Sequence, residues 1–135
     1  LEQLGNTYAE SDIVFTKPMG FLDYCKLQQS ALCVLSDSGT ITEESSILRF
    51  PAVTLRRSME RPEGMDTGSI ILTGLDADRV LDAIEYTTQL WATGTAPPAP
   101  DAYAATNVSQ RVCSLMLGTS SLSHTWSGVV RRDPT

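Results

Sequence analysis

Apolar residues along this chain fall into two rhythms. Ile13-Val14-Phe15-Thr16, Ala31-Leu32-Cys33-Val34-Leu35, Ala52-Val53-Thr54-Leu55 and Ser69-Ile70-Ile71-Leu72-Thr73 are short apolar runs, mostly rich in β-branched residues and bounded by Pro, Gly, Ser or Asp. That is the pattern of strands buried on both faces. Between them the spacing turns helical. Phe21, Tyr24, Cys25 and Leu27 mark a helix over residues 21–30, and Ile41, Ser45 and Leu48 mark another over residues 41–50, ended by Pro51. The clearest helix starts at Asp76, a capping residue, presents Val80, Ala83, Ile84, Thr87, Leu90 and Trp91, and stops at Gly94. Residues 1–5 read as a helix end stopped by glycine, and residues 56–68 as a long polar loop. Ala96-Pro97-Pro98-Ala99-Pro100 is a stiff extended connector, followed by a helix over residues 104–117 with Val108, Val112, Leu115 and Met116 on one face.

Strands alternating with helices, and strands that are apolar throughout, predict an α/β fold: a parallel sheet with helices on both faces. Ligands of such sheets sit beyond the carboxyl ends of the strands. The residues after Thr16, Leu35 and Leu55 are therefore where chemistry is expected.

With 135 residues, 41% hydrophobic and 19% charged, the chain has the apolar content of a folded domain. Ten Lys and Arg against sixteen Asp and Glu give a net charge of −6, a field that repels nucleic-acid phosphates and anionic lipid. No apolar run approaches the roughly 20 residues of a membrane span, nor does the start have the order of a signal peptide, so a cytoplasmic protein is expected. Cys25, Cys33 and Cys113 are odd in number and unpaired in spacing, which predicts reduced thiols. One histidine, His124, and no Cys-x-x-Cys leave a zinc site without ligands. No metal and no cofactor are expected. A first residue of Leu1 rather than Met suggests a piece of something longer.

Ser36-Asp37-Ser38-Gly39-Thr40 lies between a strand and a helix start, where unpaired backbone N–H groups and the helix dipole favour an anion. Gly39 lets a phosphate approach the backbone, and Ser38 and Thr40 add hydroxyls. Simple capping by Asp37 or Ser38 would use the same residues. Glu43 and Glu44 suit the first turns of any helix; Glu44 is also placed to accept two ribose hydroxyls one turn beyond a diphosphate. Arg56, Arg57 and Arg61, mixed with Glu60, Glu63 and Asp66, crowd the loop at the same sheet edge, either as a phosphate fork or as solvated pairs. Phe21 and Tyr24 could stack on a base or belong to a core.

Three linked strings, Ser36-Asp37-Ser38-Gly39-Thr40-Ile41-Thr42-Glu43-Glu44, Pro51-Ala52-Val53-Thr54-Leu55-Arg56 and Glu60-Arg61-Pro62-Glu63-Gly64, closely resemble the non-hydrolysing UDP-N-acetylglucosamine 2-epimerases. The wording is most similar to the capsule and O-antigen subgroup that forms UDP-N-acetyl-L-fucosamine. The resemblance runs from about Ile13 through the helix after Asp101. It implies the last part of the C-terminal half-domain of a glycosyltransferase-B-like fold, with a three-layer Rossmann-like parallel sheet. Residues 1–96 would form a partial UDP-binding domain, and residues 97–135 a Pro-rich connector and C-terminal helix.

Carried over at matched positions, Ser38, Gly39 and Thr40 become the phosphate turn, Glu44 the ribose acid, Arg61 a nucleotide-pocket arginine, Tyr24 the aromatic near uracil and Met19 the residue whose backbone reaches the base. Thr40 departs from the Gly-Gly wording of the main branch. The family inverts C2 by eliminating UDP and adding it back on the other face, with proton-handling groups from an N-terminal domain. The resemblance therefore implies no catalytic residue in this chain, no role for His124, a truncated sheet with strands missing between the first and second, and no turnover alone. It further implies a UDP-sugar ligand, a partner N-terminal catalytic domain and a homodimeric full-length enzyme. A UDP-sugar glycosyltransferase of the same fold, a non-catalytic UDP-sugar-binding or assembly module, and a flavodoxin-like receiver are the alternatives. Glu60-Arg61-Pro62-Glu63-Gly64 favours the epimerase over the first, and the lack of a lysine in Thr73-Gly74-Leu75-Asp76 disfavours the last.

Overall fold

The computed structural model describes residues 13–122. These residues fall into two compact units divided after Pro100. The first unit contains helix α1 (Phe21–Ser30), strand β1 (Val34–Ser36), helix α2 (Ile41–Leu48), strand β2 (Ala52–Thr54), helix α3 (Pro62–Asp66), strand β3 (Ile71–Leu72) and helix α4 (Ala77–Ala92). The second contains a 3-10 turn (Asp101–Tyr103) and helix α5 (Val108–Thr119).

The three strands form one parallel sheet in the order β1-β2-β3. In register, Val34 pairs with Ala52 and Ser36 with Thr54, while Val53 pairs with Ile71 and Thr54 with Leu72. Ser36, Thr54 and Leu72 thus end level, and the turns that follow all leave from one edge. Beyond the strands the ladder continues: Leu55 N–H donates to Ser36 O at 2.9 Å, and Thr73 N–H to Thr54 O at 3.0 Å.

All three residues of β2 are buried. Successive strand side chains point to opposite faces, so both faces of this central strand are covered. On one face Ala52 joins Ile41, Phe50 and Ile70, with Val34, Leu48 and Met59 packed around them. Burying side chains such as Phe50 and Ile41 contributes about 1.5–3 kcal/mol each. Both α2 and α4 pack against β2. Helix α4 follows the predicted pattern: Asp76 accepts a hydrogen bond from Arg79 N–H, Ala83 and Thr87 are buried, and Gly94 takes a positive φ of 71°.

Four expectations change. Ile13-Val14-Phe15-Thr16 does not join the sheet; it is exposed and has no strand neighbour among the described residues, and extended residues become a strand only with a hydrogen-bonded partner. The loop over residues 56–68 contains α3, which begins with Pro62 at a position where a missing N–H costs nothing. On α1, Phe21, Leu22 and Leu27 are exposed, and Gln28 is the buried residue. Helix α5 starts later than its sequence suggests, and Val108, Val112, Leu115 and Met116 are all exposed. The helix end at residues 1–5 and His124 lie outside the described residues.

One contact joins the end of α2 to the far end of the first unit. Arg49, following α2, has a left-handed backbone (φ 58°). Its guanidinium stands 5.0 Å from the centre of the Trp91 ring and donates to Pro97 O at 2.7 Å.

Candidate nucleotide site

The turn between β1 and α2 is tied by its own side chains. Ser38 N–H donates to Ser36 Oγ at 3.0 Å, and Thr40 N–H to Ser38 Oγ at 3.3 Å. The Thr40 hydroxyl donates to Glu44 Oε1 at 2.6 Å. With its one proton spent there, Thr40 Oγ1 accepts from the Ser38 hydroxyl at 2.9 Å. Ser38, Thr40 and Glu44 therefore form a directional chain along the first turn of α2. Thr40 is the N-cap, and no side chain bonds across the cap. The free N–H groups at this helix start are available to an acceptor.

Two arginines close over Gly39. A Cβ built there would lie 2.8 Å from Arg56 Nη1 and 2.9 Å from Arg61 Nη1. Only glycine leaves the guanidiniums this close to the backbone. Arg56 is paired with Glu60, and Arg61 with Glu43, the latter pair about one-third exposed. Such solvated pairs are worth about 0–1 kcal/mol, so an incoming oxyanion can compete for the guanidiniums.

Arg61 owes its position to a close helix contact. It precedes α3, and Gly64 in α3 is so near α2 that a Cβ would come within 2.3 Å of Thr42 Cγ2 and 3.1 Å of Ile70 Cγ2. The Gly64 carbonyl then accepts from Ser69 N–H at 2.9 Å and Ser69 Oγ at 3.1 Å. The missing side chain lets α3 lie against α2, carrying Arg61 to its first turn.

Glu44 is held from its other side by α1. Gln28, 3% exposed, donates from Nε2 to Glu44 Oε2 at 2.6 Å. Tyr24, one turn earlier, has its phenol pKa raised, chiefly by desolvation and then by the negative charge of Glu44 and by Cys25. Ser38, Gly39, Thr40, Glu44, Arg61 and Tyr24 thus share one neighbourhood. Met19 lines a shallow groove with Thr16, Asp23 and Lys26 beside α1. Sequence reading missed Gln28, although its spacing of four from Tyr24 places it on the same helix face.

A backbone turn under two guanidiniums, with a carboxylate one helical turn on, can hold a diphosphate and a diol together. A sequence model described as UDP-N-acetylglucosamine 2-epimerase matches residues 1–117. The chain belongs to that family. Among curated UDP-N-acetylglucosamine 2-epimerases, those of Methanococcus maripaludis and Yersinia pestis are 41% and 34% identical over 73 residues, 54% of this chain. The match covers 20% and 19% of those proteins, so the matched segment spans about a fifth of their length.

Solved epimerase structures share the fold. That of the Rickettsia bellii UDP-N-acetylglucosamine 2-epimerase is 40% identical, with a TM-score of 0.76 over 89% of this chain and 33% of its own. The Methanocaldococcus jannaschii enzyme in complex with UDP-GlcNAc and UDP is 26% identical, with a TM-score of 0.71 over 86% and 31%. This epimerase-family chain is thus an α/β, Rossmann-like parallel sheet of the glycosyltransferase-B kind. Among its described residues, no group of three or more His, Cys, Asp or Glu is placed to hold a metal ion, and no helix is long and apolar enough to cross a membrane.

Proposed function

We propose that this chain supplies the UDP-binding, C-terminal part of a UDP-N-acetylhexosamine 2-epimerase. The observation that carries the reading is Gly39, whose backbone lies at the start of α2 directly beneath Arg56 and Arg61. Phosphate oxygens take the free N–H groups at the start of α2, on the turn that Ser38, Gly39 and Thr40 shape, and the Arg61 fork. Glu44 accepts the ribose hydroxyls, Tyr24 stacks on uracil, and backbone groups at Met19 reach the base edge. A UDP-GlcNAc complex of a family member supports a UDP-sugar as ligand.

In this reading the chain binds and orients the leaving group of the reaction. Elimination of UDP from the sugar builds negative charge on the β-phosphate, and the Arg61 guanidinium with the α2 N-terminus stabilises that charge. The proton transfers at C2 belong to an N-terminal domain of the complete enzyme, and the chain alone turns nothing over. Residues 1–96 form the nucleotide-binding part, and residues 97–135 the connector and C-terminal helix. The complete enzyme is a cytoplasmic homodimer acting on UDP-N-acetylhexosamines, including the precursor of UDP-N-acetyl-L-fucosamine, for capsule or O-antigen.

Calorimetric titration of the 135-residue chain with UDP, uridine and ADP tests the binding role. UDP should bind more tightly than either control. Equal affinity for UDP and ADP, or no binding by a chain with native circular dichroism, overturns it.

A further inference from the structure

Gln28 is the one buried residue of α1, and it is polar. A buried amide is costly unless bonded. Its Nε2 donates to Glu44 Oε2 at 2.6 Å, while its Oε1 is buried with no hydrogen-bond partner among the described residues. The amide orientation follows from chemistry: a carboxylate only accepts, so the NH2 must face it. Stability alone would be served as well by an apolar side chain of similar size, which leaves no unpaired oxygen.

We infer that Gln28 is a positioning residue that sets the Glu44 carboxylate for a ribose diol; the inference rests on the nucleotide reading above. Glu44 receives one donor on each oxygen, Thr40 on Oε1 and Gln28 on Oε2, both at 2.6 Å. Two donors on opposite sides fix the plane of the carboxylate. Each oxygen keeps a second acceptor site, so two adjacent hydroxyls can be accepted together by a group that no longer has to be ordered on binding. Because Thr40 also accepts from Ser38, the same chain of bonds ties the ribose acid to the phosphate turn. The hydroxyl at position 40 and the amide at position 28 therefore work as a pair, one from each side of Glu44.

The test compares UDP with 2′,3′-dideoxyuridine diphosphate, which lacks the diol, on the 135-residue chain and its Gln28→Leu, Gln28→Met, Glu44→Ala and Gln28→Leu/Glu44→Ala variants. Each Gln28 variant should weaken UDP about tenfold, as loss of a hydrogen bond to a charged group does. Affinity for the dideoxy ligand should stay unchanged, and Gln28→Leu should cost nothing more once Glu44 is alanine. A structural role would lower both ligands alike and persist in the Glu44→Ala background; either result overturns the inference. A ligand-free readout stands beside this: the Gln28 side-chain amide NMR signals should move in Glu44→Ala, and unmoved signals overturn the clamp whatever binds. A parent chain that fails to prefer UDP over ADP counts instead against the nucleotide reading, and removes the ribose role with it.

Discussion

Arg61 reaches from the start of α3 to pair with Glu43 on the first turn of α2, eighteen residues earlier in the chain. The adjacent carboxylate, Glu44, turns instead to Thr40 and Gln28. Two neighbouring acids thus have separate tasks: one holds the arginine near Gly39, the other completes the turn.

Arg61→Ala should weaken UDP by about 1.5–3 kcal/mol, the range for hydrogen bonds involving charged groups, while leaving uridine affinity in place. Paired titrations with the two ligands check this. Equal losses would place Arg61 at the base rather than at phosphate.

Gly39→Ala separates binding from folding. Its Cβ would meet the flexible ends of Arg56 and Arg61 at 2.8 and 2.9 Å, so the guanidiniums can swing away and stability should change by less than about 0.5 kcal/mol, as at ordinary surface positions. UDP binding should nonetheless fall about tenfold, or 1.4 kcal/mol, because the backbone and both cations are moved apart. Thermal melting and calorimetry on one sample would contradict this if the melting point dropped and affinity did not.

Gly64→Ala should do the reverse. The obstructing atoms, Thr42 Cγ2 at 2.3 Å and Ile70 Cγ2 at 3.1 Å, belong to buried residues that have nowhere to go. Overpacking of this kind costs about 1–3 kcal/mol. Urea denaturation reads the loss directly, and an unchanged midpoint would mean that α3 is not seated on α2.

Tyr24 offers a pH-dependent signal. Although Tyr24 is 39% exposed, partial desolvation and then Glu44 raise its phenol above the ordinary 10.0, so the folded chain resists an ionisation that the unfolded chain undergoes. Its contribution to stability is full below pH 10.0 and lost as pH rises through the folded value. Tyrosinate absorbance of the native chain should lose a late-titrating component in Tyr24→Phe, and Glu44→Gln should bring that component to lower pH. A Tyr24→Phe curve matching the parent's shape would remove the coupling.

Where local and global signals agreed, the sequence was a good guide. Helix α4 carries its own cap, periodicity and glycine stop, so nothing outside its residues was needed to read it. Gly39, Glu44 and Arg61 stand in linked strings, and the fold brings these three positions to one turn. Ile13-Val14-Phe15-Thr16 misled because β-branched residues favour a strand only where a neighbour supplies hydrogen bonds. Helix α3 was hidden because five residues are too few to show a period, though Pro62 followed by Glu63 is a start signal. Gln28 was passed over because burial is ordinarily sought among apolar residues, and its partner lies sixteen positions away.

Arg49 gives the first unit a property that its sheet alone would not. A residue with φ 58° would be more comfortable as glycine, yet glycine could reach neither Trp91 nor Pro97. Backbone ease and side-chain reach are set against each other at this position, and the arginine decides in favour of reach. It acts as a buckle, fastening the proline run to the end of α4. Unfastening it with Arg49→Gly should leave the melting temperature nearly level, since relief of the backbone offsets the lost contacts. Limited proteolysis around residues 96–100 would then proceed faster than in the parent, so loosening would show in a chain whose overall stability had not moved.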